Sequence, residues 1–157
     1  MKFEEFVCFE ATIPQLQAKD RDGAITELVA ALVSAGRIPA ELGKEVTKAV
    51  VKRENEASTG MGKGVAVPHV KHGAVKTVVA AVGHSAAGID FASLDEQPVY
   101  SVILLISPAG NPDKHLQAME NIFRHLQKER FRKFLRQCRD AAELEDLLKE
   151  ADENPSW

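Results

Sequence analysis

The run Val99–Ile106, Val-Tyr-Ser-Val-Ile-Leu-Leu-Ile, constrains the fold of this chain more than any other stretch. It is β-branched and largely apolar, without the strict polar alternation of a strand that has one wet face. It therefore predicts a sheet strand buried on both sides. Val75–Val82 reads the same way, and Val65–Pro68 as a shorter strand. A sheet made of such strands needs helices to cover it.

Helical patterns lie on either side of these runs. Ile25, Leu28, Val29, Leu32 and Val33 recur at helical spacing after Asp20–Asp22, which can cap, and Gly36 is placed to end the helix. A second helix follows Pro39, with Leu42, Val46, Ala49, Val50 and Arg53 on one stripe. Arg53 then projects from the last turn, where it either satisfies terminal carbonyls or aims a cation inward. Pro112 suits a helix start, and His115, Met119, Ile122 and Leu126 share one face, which puts His115 in the first turn. Phe131, Phe134, Leu135 and Cys138 suggest another helix, and Asp140 with Glu143 caps a last one before Leu144, Leu147 and Leu148. Residues 86–97 form a turn-rich connection with room for a short strand at Ile89–Phe91.

The alternation of helices and strands predicts an α/β domain. A length of 157 residues, 45% hydrophobic, suffices for one buried core and not for two, so residues 1–157 read as a single domain. Its core is expected over about residues 20–150, with a loose tail over 151–157. The net charge of −3, with signs interspersed, gives no basic footprint for nucleic acid. No apolar run approaches the roughly 20 residues that span a bilayer, so no membrane insertion is expected, and a soluble cytoplasmic protein is. Cys8 and Cys138 lie far apart without metal or redox spacing and read as free thiols.

The chemistry concentrates around His69. Ser58-Thr59-Gly60-Met61-Gly62-Lys63-Gly64 reads as a flexible polar loop leading into Val65-Ala66-Val67-Pro68-His69. Three alternating glycines permit close approach of a phosphate to the backbone. Pro68 drives Val67 to the extended region and is expected to present His69 at a defined angle where strand pairing stops. Gly60, Gly62 and Gly64 fit neither a Walker loop nor a dinucleotide fingerprint. His72, His84 and His125 read as solvated or partly packed, although His69-x-x-His72 with His115 has the outline of a zinc site that lacks a completing ligand. Ser58 has no nucleophile elbow, so serine hydrolysis is disfavoured.

Arg53-Glu54, Ser58-Thr59-Gly60, Ala66-Val67-Pro68-His69, Gly88-Ile89-Asp90-Phe91 with Leu94-Asp95, and Pro108 with His115-Leu116 occur in an order that resembles one family. It is the IIA domain of the phosphoenolpyruvate-dependent sugar phosphotransferase system, of the fructose, mannitol and nitrogen-regulatory type. The resemblance runs from about Ala24 to Leu148 and implies a mixed β-sheet flanked by α-helices. It implies His69 as phosphoryl acceptor, with His115 and Arg53 as stabilisers, and Ser58 and Thr59 as minor phosphate ligands. Neither a metal nor a cofactor is implied. The implied partners are a phosphohistidine carrier protein and either a IIB domain, which receives the group on a cysteine, or regulatory proteins.

Histidine suits such a role because its neutral nitrogen is nucleophilic near pH 7 and its phosphoramidate can pass the group onward. Transfer needs in-line positioning and donors on the phosphoryl oxygens more than covalent help. Successive carriers must also dock, and Met61, Val65 and Val70 are candidates for an apolar docking surface, each equally able to be core. Val70 stands where many relatives have a small residue, and Glu96 where glycine is usual. Lys71-His72 leans toward the regulatory branch.

Overall fold

The computed structural model of the chain describes residues 1–154. Its centre is β5 (Val99–Ser107), paired antiparallel along one edge with β4 (Val79–Ile89). The other edge of β5 carries two short parallel segments, β2 (Val65–Ala66) against Ser101 and Val102, and β3 (His69–Lys71) against Leu105–Ser107. β1 (Gly60–Gly62) extends that edge by pairing antiparallel with β2. The sheet is thus mixed.

Both of its faces are buried, as the apolar runs require. Val102, Leu104 and Ile106 of β5 point into a core shared with α2 (Arg21–Ser34) and α3 (Gly43–Glu56). Ile103 and Leu105 point the other way, against α1 (Phe3–Phe6), α4 (Pro112–Leu126), α5 (Glu129–Gln137) and α6 (Ala141–Glu153). Helix starts follow the capping residues: Asp20, Asn111 and Asp140 accept from the backbone N–H of Gly23, Lys114 and Glu143.

Several boundaries differ from the sequence reading. β4 begins at Val79, because the exposed Lys76-Thr77 turn precedes it, while Val75 and Val78 are still buried. It then runs through to Ile89, so no separate strand occupies Ile89–Phe91. The core begins well before residue 20: Phe3 and Phe6 are each 1% exposed, and the Asp152 carboxylate accepts the Phe3 and Glu4 amides, tying α1 to α6. α6 therefore continues through the first residues of the expected loose tail, with Ala151 buried; residues 155–157 lie outside the described residues.

The glycine run is a hairpin and not a flexible phosphate cradle. Gly62, Lys63 and Gly64 all take positive φ (89°, 60° and 82°) to turn β1 into β2. The Asp95 carboxylate fastens the turn by accepting the Lys63 and Gln97 amides, bonds that hold its carboxyl below the usual range. Gly64 accepts from Tyr100 and Ser101 at the start of β5. His69 pairs with Leu105, five residues and about 16 Å further along the strand.

Candidate functional site

His69 opens β3. Pro68 contributes no N–H, but its carbonyl accepts the Leu105 amide at 2.9 Å, and pairing resumes at His69 instead of stopping there. The short strand fixes which way each side chain points. Val70 packs into the core beside α3, so its neighbours His69 and Lys71 face the α4 side. The His69 ring is half-buried, and its Nδ1 lies 2.8 Å from the Val67 carbonyl oxygen. A carbonyl only accepts, so the proton sits on Nδ1 and Nε2 carries the free lone pair.

His115 meets it from the first turn of α4. The two ring centroids are 5.7 Å apart, with planes tilted by 44°. The His115 Nδ1 is 2.6 Å from the hydroxyl of Ser107, the last residue of β5. Burial lowers the His115 pKa from its ordinary value of 6.5, and repulsion from His69, whenever that ring is protonated, and from the Lys71 cation lowers it further. Lys71 is therefore a cation beside the histidine pair, two strand residues from His69.

The other expected ligands are committed elsewhere. Arg53 lies in the last turn of α3, on the opposite face of the sheet from α4, and its Nη1 donates to the Ala57 carbonyl at 3.1 Å. In this respect it satisfies a carbonyl at the end of its helix. The Ser58 hydroxyl donates to the Phe91 carbonyl and accepts the Gly60 amide. Thr59 donates its hydroxyl and its amide to Glu54, at 2.6 and 2.7 Å. These hydroxyl hydrogens hold the loop after α3 and leave none directed at His69, contrary to the expectation of phosphate ligands.

Three residues that the sequence reading gave no role thus shape the site. Glu54, 2% exposed, anchors the Thr59 segment, and Ser107 contacts His115. Lys71 flanks the pair, and only its spacing of two from His69 in an extended segment hinted at a shared face.

The remaining histidines differ among themselves. His72 accepts the Ala74 amide on Nδ1 and reaches Glu45 through Nε2 at 3.5 Å, away from a shared site with His69 and His115. His84 donates Nδ1–H to the Pro14 carbonyl. His125 is neither solvated nor partly packed: it is 1% exposed between Phe3 and Phe131. Among the docking candidates Val65 is core, and Met61 and Val70 pack against the core from partly buried positions. Leu116, which follows His115 in α4, is 58% exposed. Among the described residues no helix is long and apolar enough to cross a membrane.

Comparison with known proteins adds a lineage to this geometry. Residues 7–151 match the family model of the phosphoenolpyruvate-dependent sugar phosphotransferase system, EIIA 2. The chain is 34% identical over 133 residues to the fructose-specific EIIA component of Haloferax volcanii, covering 85% of each. It is 32% identical over 148 residues to a nitrogen regulatory protein of Bradyrhizobium diazoefficiens, covering 94% of this chain and 95% of that one. It is 30% identical over 152 residues to the fructose-specific EIIABC component of Bacillus subtilis, but spans only 24% of that protein. Among solved structures, the nitrogen regulatory protein IIA-Ntr from Neisseria meningitidis superposes with a TM-score of 0.82 at 22% identity, over 92% of this chain and 97% of that one. Enzyme IIAMTL from Escherichia coli, in complex with phosphorylated IIBMTL, gives 0.72 at 20%, over 90% and 95%. These two likenesses establish the mixed α/β fold.

Proposed function

This chain belongs to the EIIA 2 family of the phosphoenolpyruvate-dependent sugar phosphotransferase system, and from that premise we propose that it is a cytoplasmic phosphocarrier. His69 accepts a phosphoryl group from a phosphohistidine carrier protein and passes it to a cysteine of a IIB partner. One observation carries this reading: the bond from Nδ1 to the Val67 carbonyl leaves the Nε2 lone pair as the nucleophile, opposite His115.

In the accepting step the Nε2–P bond of His69 forms as the N–P bond of the donor histidine breaks, and that bond's electron pair returns to the donor ring. The proton stays on Nδ1, donated to the Val67 carbonyl, and that bond keeps the ring from turning. Onward transfer reverses the roles, with a thiolate attacking phosphorus and the electron pair returning to Nε2. The step is mainly a matter of placement and charge. His115 donates to a phosphoryl oxygen, and Lys71 supplies nearby positive charge. Arg53 acts from the α3 side, by holding the Ala57 carbonyl and with it the loop that leads into Ser58 and Thr59. Ser58 and Thr59 act indirectly, by holding the backbone that leads to the histidine.

Incubating the pure chain with phosphoenolpyruvate and the general phosphotransferase proteins is expected to give an acid-labile adduct that is absent in His69→Gln. No adduct on the wild-type chain defeats the reading.

The near end-to-end likeness to a nitrogen regulatory protein favours a second reading, in which phosphorylation at His69 governs binding to regulatory proteins. A pull-down that compares wild type with His69→Asp separates the two. State-dependent capture of a non-transport protein supports regulation, and recovery of a IIB partner alone removes it.

A further inference from the structure

Ser107 closes β5 with its side chain wholly out of solvent, at 0% exposure. Its carbonyl accepts the His72 amide at 2.8 Å, and its hydroxyl oxygen lies 2.6 Å from His115 Nδ1. Among the described residues that ring nitrogen is the recorded partner of the hydroxyl, so the direction of the bond has consequences. A hydroxyl carries one hydrogen. If Nδ1 were protonated and donated to Ser107, that hydrogen would be buried without an acceptor, a costly arrangement. If the hydroxyl donates instead, both groups are satisfied and the proton of the neutral ring must reside on Nε2.

Building on the reading of His69 as acceptor, we propose that Ser107 is a positioning residue that holds His115 as the Nε2–H tautomer, ready to donate to a phosphoryl group on His69. The anchor lies at the base of the ring, at the end of the central strand of the sheet. The Nε2 edge is thereby left for the ligand. A neutral N–H binds a phosphoryl oxygen without the full attraction of an imidazolium, so the group is steadied yet still leaves for the next carrier. Lys71, which faces the same ring, supplies positive charge, and the division of labour gives His115 directionality. Ser107 touches neither donor nor phosphorus in this arrangement, and its influence passes entirely through His115.

The test is a nitrogen-15 NMR correlation of the imidazole rings at pH 7.5, read beside the rate of phosphoryl acceptance. In wild type and Ser107→Thr, His115 Nδ1 is expected to be unprotonated and Nε2 protonated. In Ser107→Ala the two nitrogen signals are expected to converge, and acceptance to slow by about tenfold, the usual scale for losing a group that orients a functional histidine. Rescue by threonine separates the hydroxyl from mere packing, and the wild-type spectrum alone decides the tautomer if the alanine variant fails to fold. Protonation of Nδ1 in wild type overturns the proposal. So does an alanine variant with the wild-type tautomer, or with the wild-type rate. Failure of the wild-type chain to take up phosphoryl at His69 is a distinct result: it removes the carrier reading and with it the proposed use of the donor, while the ring signals still report whether Ser107 holds His115.

Discussion

The rings of His69 and His115 face each other with centroids 5.7 Å apart, one held by a strand and the other by the first turn of a helix. Their surroundings are unequal, since only the first has its Nδ1 on a backbone carbonyl, which leaves the lone pair on Nε2. His115→Ala is expected to keep forming the adduct, but 10- to 100-fold more slowly, equivalent to about 1.4–2.7 kcal/mol of barrier. Timed quench with gel separation of the phosphorylated form measures it. Complete loss of the adduct would make His115 an acceptor itself or an obligatory intermediate, and the assignment of roles would be wrong.

One half-buried histidine, His115, and one buried, His125, also tie stability to pH. Burial lowers the pKa of His115, and burial likewise lowers that of His125, partly opposed by its bond to the Asn121 carbonyl. A group with a depressed folded pKa of this kind binds its proton more readily in the unfolded chain. Stability is therefore retained above the unfolded value of 6.5 and declines as the pH falls through and below it. Urea denaturation midpoints are expected to drop between pH 7.5 and pH 5.5. His125→Phe, which replaces a ring already set between Phe3 and Phe131 and removes an Nε2 without a partner among the described residues, is expected to lessen that drop. An identical pH dependence in the variant would place the effect elsewhere.

The two-faced burial of β5 was legible in Val99–Ile106, because an apolar run without alternation has no solvated side. The helix starts were legible in Asp20, Pro112 and Asp140 for a similarly local reason. His69 and His115 could be chosen from the ordered motifs, but their approach could not, since 46 residues separate them and the strand pairing that joins them is not encoded nearby. The glycine run misled. Its spacing permits a ligand cradle and a tight hairpin equally, and Asp95, 32 residues from Lys63, determines which. Ser58 and Thr59 misled differently: their hydroxyls suit phosphate, and the buried Glu54 and the Phe91 carbonyl claim them first.

Glu54 is expected to be the most sensitive polar position outside the histidine pair. Its carboxylate is 2% exposed and accepts both the amide and the hydroxyl of Thr59. Glu54→Ala removes two charge-assisted bonds and strands the Thr59 donors, a loss of about 3 kcal/mol. Thr59→Val keeps the amide bond and is expected to lose about 1 kcal/mol. Equilibrium denaturation of the two single variants and the double variant gives their coupling, and strictly additive losses would show that the contact contributes little.

Glu96 sits at φ 59°, a left-handed conformation in the turn between Asp95 and Pro98. A side chain there costs about 1–2 kcal/mol. Replacement by glycine removes that strain but adds about 0.4–1 kcal/mol of freedom to the unfolded chain. The strain is the larger effect, so Glu96→Gly is expected to stabilise by about 0.5–1 kcal/mol, or about 2–3 °C in Tm. The amide of residue 96 keeps its bond to the Ser93 carbonyl in either case. A lower Tm in scanning calorimetry would mean that the glutamate side chain makes a compensating interaction.

If a carrier protein docks at the histidine pair, it is expected to meet Leu116. It follows His115 in the first turn of α4 yet is 58% exposed, whereas Val65, Met61 and Val70 are drawn into or against the core. An exposed leucine contributes little to folding, so Leu116→Asp is expected to change stability by no more than about 0.5 kcal/mol. Against a carrier protein the same change places a charge where an apolar contact must desolvate, and the added aspartate also meets an incoming phosphoryl group of like sign. The second-order rate of phosphoryl uptake is therefore expected to fall by about tenfold or more, with the encounter weakened and His69 itself unaltered. A small phosphoryl donor such as phosphoramidate, which needs no docking surface, is expected to modify His69 in this variant at close to the wild-type rate. Equal slowing with both donors would locate the defect at the histidines, and no slowing with the protein donor would move the docking surface away from α4.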